Sequence, residues 1–345
     1  MIWPIALAVV LWLAGWVLDW PVARRWAMVA GVWAATVLAH LVLPADHPFR
    51  QATGGDLRSW VVLGGAGGLV WAYVAGLGAL KARAVPAAKS DTGPYAPGEV
   101  DRYARHLFLR EIGGPGQRRL KEARVLVVGA GGLGAPVLLY LAAAGVGRIT
   151  VIDPDRVEAA NLQRQIIHAD ARIGMAKAQS AALALRALNP FAAVEPVVAR
   201  LDEANGPALI AAHDLVLDGT DNFDSRSVVN RLCVAAGRPL IMGALSQWEG
   251  QVSLFDPARG GPCYDCIFPV RPAPGSVPSC AEAGVAGPLP GIIGSIMAVE
   301  AVKHLTGAGE TLRGRLMIHD ALFADSRVIS ARPRPGCPVC GHLQG

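Results

Sequence analysis

Charged residues are scarce in this sequence. Asp, Glu, Lys and Arg make up 17% of its 345 residues, against about 25% in an ordinary soluble domain. Intrinsic disorder is excluded, because disordered chains are highly charged and poor in apolar residues. Here 52% of the residues are hydrophobic and mean hydropathy is +0.37, an apolar surplus larger than a single soluble core takes up. Cysteine is sparse too. Six residues are too few for a disulfide scaffold, and four of them fall in two C-x-x-C pairs, which points to metal in a reducing compartment. No strong excess of one charge exists. A net charge of +5, much of it beside apolar runs, gives no sign of nucleic-acid binding. The chain lacks the basic start of a signal peptide, and it has no internal repeat. Its length suits one large domain or two smaller ones.

The apolar surplus is concentrated in residues 1–84. Three runs, Ile2 to Leu18, Trp26 to Leu43 and Trp60 to Leu80, approach the roughly 20 residues that cross about 30 Å of hydrocarbon as a helix. The first is short and carries Pro4. Gly64, Gly65, Gly67 and Gly68 in the third would weaken a soluble helix, but small residues suit close packing between membrane helices. Tryptophans near the run ends suit the interfacial belt. Three transmembrane helices are therefore expected. Arg24, Arg25, Lys81, Arg83 and Lys89 lie on one side of such an arrangement, and Arg50 and Arg58 on the other. The positive-inside bias then puts everything after the third run in the cytoplasm and the N-terminus outside. Residues 85–97, rich in Ala, Pro, Gly, Ser and Asp, read as a linker. A soluble domain over residues 98–345 follows.

That domain begins with helical spacing over Val100 to Leu109, which Gly113, Gly114, Pro115 and Gly116 are expected to break. Arg124 to Val128 is a short β-branched run, and Gly129-Ala130-Gly131-Gly132-Leu133-Gly134 follows at once. Pro136 to Ala144 is apolar at helical spacing. Ile149 to Ile152 is a second buried strand ending at Asp153, nineteen residues beyond Gly134. This is a β-α-β unit with G-x-G-x-x-G in its first turn. Such glycines let the backbone approach phosphates at a helix N-terminus, and an acid at this distance reaches a ribose hydroxyl. The fold class is α/β, Rossmann-like, with a mostly parallel sheet covered by helices on both faces. The motif indicates an adenine nucleotide without separating NAD from ATP.

The next segments favour ATP. Asn161-Leu162-Gln163-Arg164-Gln165 is followed by Lys177 near a helix start. Cations beside a pyrophosphate suit an enzyme that splits ATP between its α- and β-phosphates, where charge builds on the leaving group. Arg makes bidentate phosphate contacts and Lys a point contact. The plainer reading of Arg164 and Lys177 is as solvated helix cations. Leu215 to Asp218 reads as a strand leading into Gly219-Thr220-Asp221-Asn222. A carboxylate at such a strand end faces the ligand crevice and is a natural magnesium ligand, or a simple helix cap. Arg226 reads as structural, paired with a carboxylate. Cys263, Cys266, Cys337 and Cys340 supply four thiolates for a closed structural zinc site, which would staple the C-terminal tail to the domain. Cys233 reads as a small core residue. The span from Gly287 to Leu305 reads as a helix packed on the sheet.

Taken in order, R-V-L-V-V-G-A-G-G-L-G, V-I-D-x-D, N-L-Q-R-Q, the G-x-x-K around Lys177, D-G-T-D-N and the paired C-x-x-C resemble the ThiF/MoeB/HesA family, bacterial relatives of ubiquitin-activating enzymes. The resemblance runs from about Tyr103 to Cys340. It implies an adenylyltransferase that uses ATP and Mg²⁺ to activate the Gly-Gly carboxylate of a small ubiquitin-like sulfur carrier, releasing pyrophosphate, in molybdopterin or thiamin sulfur transfer. It implies nucleotide contacts from Gly129, Gly131, Gly132, Gly134 and Asn222, with Asp153 at the ribose. Asn161, Arg164 and Lys177 would contact phosphates, and Asp221 would hold Mg²⁺. Arg105 matches an arginine inserted into the partner's site of a homodimer. Cys280 matches a position that in some relatives links covalently to the carrier. Typical relatives lack the apolar N-terminal region. The absence of a rhodanese-like extension implies that a separate sulfurtransferase or cysteine desulfurase donates the sulfur. The competing readings are an NAD(P)-linked oxidoreductase, an adenylating relative acting on a small molecule or tRNA, and a catalytically silent membrane scaffold.

Overall fold

A computed structural model describes residues 2–54, 56–83, 95–270 and 284–343. The chain divides into two units, Met1–Asp91 and Thr92–Gly345.

The first unit is helical: α1 (Ile2–Val17), α2 (Val22–Val42), the short α3 (Pro48–Thr53) and α4 (Leu57–Arg83). Stretches of 21 residues in α2 and α4, Val22–Val42 and Leu57–Leu77, are long and apolar enough to cross a membrane. The first of the three expected spans is the shortest. With 16 residues, α1 rises only about 24 Å, against about 30 Å of hydrocarbon, because Asp19 and Trp20 end the run. Where α2 meets α4, a Cβ on Gly64 would fall 2.2 Å from the Trp33 ring, so only glycine lets that indole lie against the helix. The Trp33 indole N–H donates to the Trp60 carbonyl at 2.8 Å, and the Trp60 indole N–H to the Gly54 carbonyl at 3.2 Å.

The second unit is built on one eight-stranded sheet. Its strands are β1 (Arg124–Val128), β2 (Arg148–Ile152), β3 (Ala193–Val197), β4 (Leu215–Asp218), β5 (Leu240–Leu245), β6 (Glu249–Phe255), β7 (Arg315–Asp320) and β8 (Asp325–Ser330). They lie in the order β3-β2-β1-β4-β5-β6-β7-β8. Strands β1 to β5 are mutually parallel, and β5 to β8 pair antiparallel. Alternation along β1 assigns its side chains to two cores. Val125 and Val127 pack on one face with α8 (Gly134–Ala144), α9 (Lys177–Leu188) and a long helix, α12 (Leu289–Thr306). Leu126 and Val128 pack on the other with α10 (Gly206–Ala211) and α11 (Phe223–Ala235). This is the expected α/β class. Gly145 ends α8 in the left-handed region at φ +87°, a common helix stop.

The entry to this unit differs from expectation. Val100 to Leu109 forms two single turns, α5 (Glu99–Arg102) and α6 (Ala104–Leu107), rather than one helix. The residues expected to break it instead begin α7 (Gly113–Glu122). Proline is well accommodated in a first helical turn, where its missing N–H would be unpaired anyway. Buried Glu99 holds this entry segment in place. Its carboxylate accepts from the Lys121 ammonium and from the Ala96 backbone N–H.

Candidate functional site

Strand order reverses direction between β1 and β4, and a cavity of about 530 Å³ opens at their C-terminal ends. This is where open α/β sheets bind ligands, and the volume suits a nucleotide-sized molecule. The glycine turn forms one wall. Gly129 leaves β1 at φ +94°. A Cβ on Gly134 would fall 1.9 Å from the Gly129 carbonyl oxygen, so α8 can start against the turn only with glycine there. Gly131 and Gly132 line the cavity at the N-terminus of this helix, a natural seat for an anion.

Asp153 ends the β-α-β unit and lines the same cavity. One carboxylate oxygen accepts from the Ala130 N–H at 2.7 Å and the other from the Asp155 N–H at 2.8 Å. The first job of this acid is thus to hold the glycine turn, and each oxygen keeps a further lone pair for a ligand. Burial pushes its carboxyl above the usual range.

Lys177 opens α9, is only 7% exposed and lines the cavity. It pairs with Asp155 at 2.9 Å, whose side chain is 62% exposed. Asp155 stands in the V-I-D-x-D motif, yet no role for it follows from spacing. Arg164 and Gln165 line the cavity as well. Asn161 is not among the lining residues. Its amide oxygen accepts from Gln165 at 3.1 Å and from Arg164 at 3.4 Å, so it orients those two side chains. Buried Gln165 is a cavity residue that the sequence pattern alone left without an assignment.

The β4 turn provides the opposite wall. Asp221 is exposed and lines the cavity. Asn222 lines it too, but its amide oxygen caps α11 through the Ser225 N–H at 2.9 Å. Asp218, the acid at the strand end itself, is fully buried and accepts from the Thr220 N–H at 2.8 Å. Burial raises its pKa, so Asp221 is the carboxylate available to a cation. Arg226 is buried and structural, but its hydrogen bonds go to backbone carbonyls rather than a carboxylate: it donates to the Thr220 carbonyl at 2.8 Å and to the Gly243 carbonyl at 3.3 Å, tying this turn to the body of the fold. Arg105 lies exposed on α6 and is not among the lining residues. Cys280 lies outside the described residues.

Cys263, Cys266, Cys337 and Cys340 are all buried, with their sulfurs within 4.8 Å of one another. Sulfur separations of 3.8, 3.7 and 3.4 Å are close to the edge of about 3.8 Å set by four sulfurs each 2.3 Å from one ion. Asn230 on α11 fixes the first pair in place. It accepts from the Tyr264 N–H at 3.0 Å and donates to Asp265 at 2.9 Å. Cys233, on the buried face of α11, packs into the core, and burial pushes its thiol pKa up, as a packing role requires.

Comparison with known proteins agrees with this geometry. The ThiF family matches residues 103–339. The chain is 50% identical over 247 residues to a sulfur carrier protein adenylyltransferase of Thermus thermophilus, covering 70% of this chain and 91% of that one. It is 50% identical over 244 residues to a SAMP-activating enzyme E1 of Haloferax volcanii, with 71% and 90% covered. It is 46% identical over 244 residues to the molybdopterin-synthase adenylyltransferase of Escherichia coli, with 71% and 97% covered. Among solved structures, E. coli MccB with ATP has the same fold, at TM-score 0.62 and 24% identity over 71% of this chain and 76% of that one.

Proposed function

Because this chain belongs to the ThiF family, we propose that it uses ATP and magnesium to adenylate the C-terminal glycine carboxylate of a small ubiquitin-like sulfur carrier, with release of pyrophosphate. It is an adenylyltransferase of the type that activates sulfur carriers. One carboxylate oxygen of the carrier attacks the α-phosphorus, the bond from that phosphorus to the bridging oxygen breaks, and pyrophosphate leaves. The reaction needs no covalent protein intermediate, only positioning and charge neutralisation. One observation carries this reading: the glycine turn, Arg164, Lys177 and Asp221 all face one cavity.

In this scheme Asp153 holds the ribose, and Arg164 and Lys177 neutralise the phosphates. Asp221 binds the magnesium that accompanies ATP and offsets charge on the leaving group. Cys263, Cys266, Cys337 and Cys340 would hold a structural zinc that ties the C-terminal tail to the domain. In a homodimer Arg105 would serve the partner's cavity, and Cys280 would offer a thiol to the activated carrier. The sulfur itself comes from a separate donor protein, in molybdopterin or thiamin sulfur transfer. An oxidoreductase is the weaker reading, because three closely similar relatives activate carriers or transfer adenylate by name. The test is to incubate the enzyme with Mg-ATP and a Gly-Gly-ended carrier and weigh the carrier by mass spectrometry. An AMP group on the carrier's C-terminus is expected; a carrier left unchanged while NAD(H) binds would overturn the reading.

We further propose that α2 and α4 anchor the enzyme in the cytoplasmic membrane, its catalytic unit on the cytoplasmic side. Their apolar surfaces are left largely uncovered by the rest of the chain. Because residues 92–345 form a compact unit of their own, a chain beginning at Tyr95 is expected to be soluble and to adenylate carrier. The full chain is expected in the membrane pellet after carbonate washing. Full-length protein in the supernatant would contradict the anchor. Loss of ATP binding on truncation would show that the helices belong to the catalytic fold.

A further inference from the structure

His168 is buried, and the proposed reaction gives it no part. It lies between the glycine turn and α9. One ring nitrogen, Nε2, is 2.9 Å from the Ala130 carbonyl oxygen, and the other, Nδ1, is 2.9 Å from the Ser180 hydroxyl. A carbonyl oxygen can only accept, so Nε2 carries the proton and Nδ1 accepts from the Ser180 O–H. Burial lowers the ring's pKa, which keeps this neutral form in place. Ser180 sits one turn along α9 from Lys177. Arg172 reinforces the junction by donating to the Ser180 carbonyl at 2.6 Å and to the Ile167 carbonyl at 3.0 Å.

The consequence concerns the peptide between Ala130 and Gly131. In a trans peptide the C=O and the N–H point in opposite directions. With the Ala130 carbonyl held by His168, the Gly131 N–H is turned the other way, and Gly131 lines the cavity. Gly131 has no Cβ to oppose rotation, so an unheld peptide flips easily. A flipped peptide would turn a carbonyl oxygen toward a triphosphate and repel it. Asp153 fixes the preceding peptide through its N–H at 2.7 Å, but it does nothing for this one.

We propose that His168 is a positioning residue that locks the Ala130–Gly131 peptide with its N–H toward the nucleotide phosphates and registers the glycine turn against the helix bearing Lys177. This rests on ATP occupying the cavity. The lock acts on bound ATP and on the transition state alike, so its loss falls on KM rather than kcat.

The experiment compares full-length wild type with His168→Leu, His168→Asn and His168→Gln in detergent. It measures binding of α,β-methylene ATP by calorimetry, steady-state kinetics and melting temperature. An Asn amide extends only as far as Nδ1 and can meet Ser180. A Gln amide extends as far as Nε2 and can donate to Ala130. Loss of a hydrogen bond serving a charged group is worth about tenfold or more in affinity. The Leu and Asn variants should therefore bind the analogue about tenfold or more weakly, with KM raised and kcat little changed, while Gln restores most of the affinity. A merely structural histidine would lower melting temperature in all three and leave binding by the folded fraction unchanged. Unchanged binding in the Leu and Asn variants, or a Gln variant as weak as Asn, overturns the lock. Wild type that fails to bind the analogue overturns the nucleotide reading and the lock together.

Discussion

Lys177→Ala is expected to slow formation of the acyl-adenylate by about 10²-fold or more, the cost of losing one transition-state donor in other enzymes. The fold should be little affected. The partner of Lys177 is Asp155, whose side chain is 62% exposed, and an ion pair with one exposed member contributes only about 0–1 kcal/mol. The alanine also leaves no buried carboxylate unpaired, since water replaces the ammonium at Asp155. The loss is thus chemical, and it should appear in single-turnover adenylate formation at unchanged melting temperature. Normal turnover in this variant would remove Lys177 from the phosphates and make its pairing with Asp155 a purely structural contact.

The second large effect concerns stability. Stripping metal with a strong chelator, or making Cys337→Ser, is expected to lower the melting temperature by roughly 10 °C, as loss of a structural metal costs several kcal/mol. Four thiols packed within 4.8 Å repel one another as thiolates without an ion, and the last two belong to the tail after β8. Cleavage by a protease beyond Ala331 should therefore accelerate when metal is removed. Zinc should be recovered at one equivalent per chain by elemental analysis. A metal-free protein with the same melting temperature would leave the cluster as a packed set of thiols.

The β-α-β unit was legible because each of its elements is coded locally. A β-branched run precedes the glycines, an apolar helix follows, and Asp153 closes the second strand. The four cysteines were legible as two knuckles, although only the fold brings Cys266 within 3.4 Å of Cys340. What stayed hidden was set by burial and by distant partners. Asp218 and Asp221 stand three residues apart, but one is sealed in the sheet and the other faces the cavity. The family resemblance makes Asn161 a phosphate contact, and only the fold shows that its amide oxygen also holds Gln165 and Arg164. His168 meets Ala130 across 38 residues of sequence, a pairing no local pattern encodes. The helix α7 was missed because its glycines and proline resemble a break, whereas a first turn tolerates them. The first apolar run reads as a span from composition; the structure gives it a helix of 16 residues, the shortest of the three.

A crystal structure of the protein with a non-hydrolysable ATP analogue and magnesium tests the central claim most directly. The account predicts the triphosphate against the Gly131–Gly132 turn, with the Lys177 ammonium released from Asp155 onto a phosphate oxygen, Arg164 beside it and Asp221 on the metal. A nucleotide bound elsewhere, or one in the cavity with Lys177 still paired to Asp155 and Asp221 turned to solvent, would contradict it.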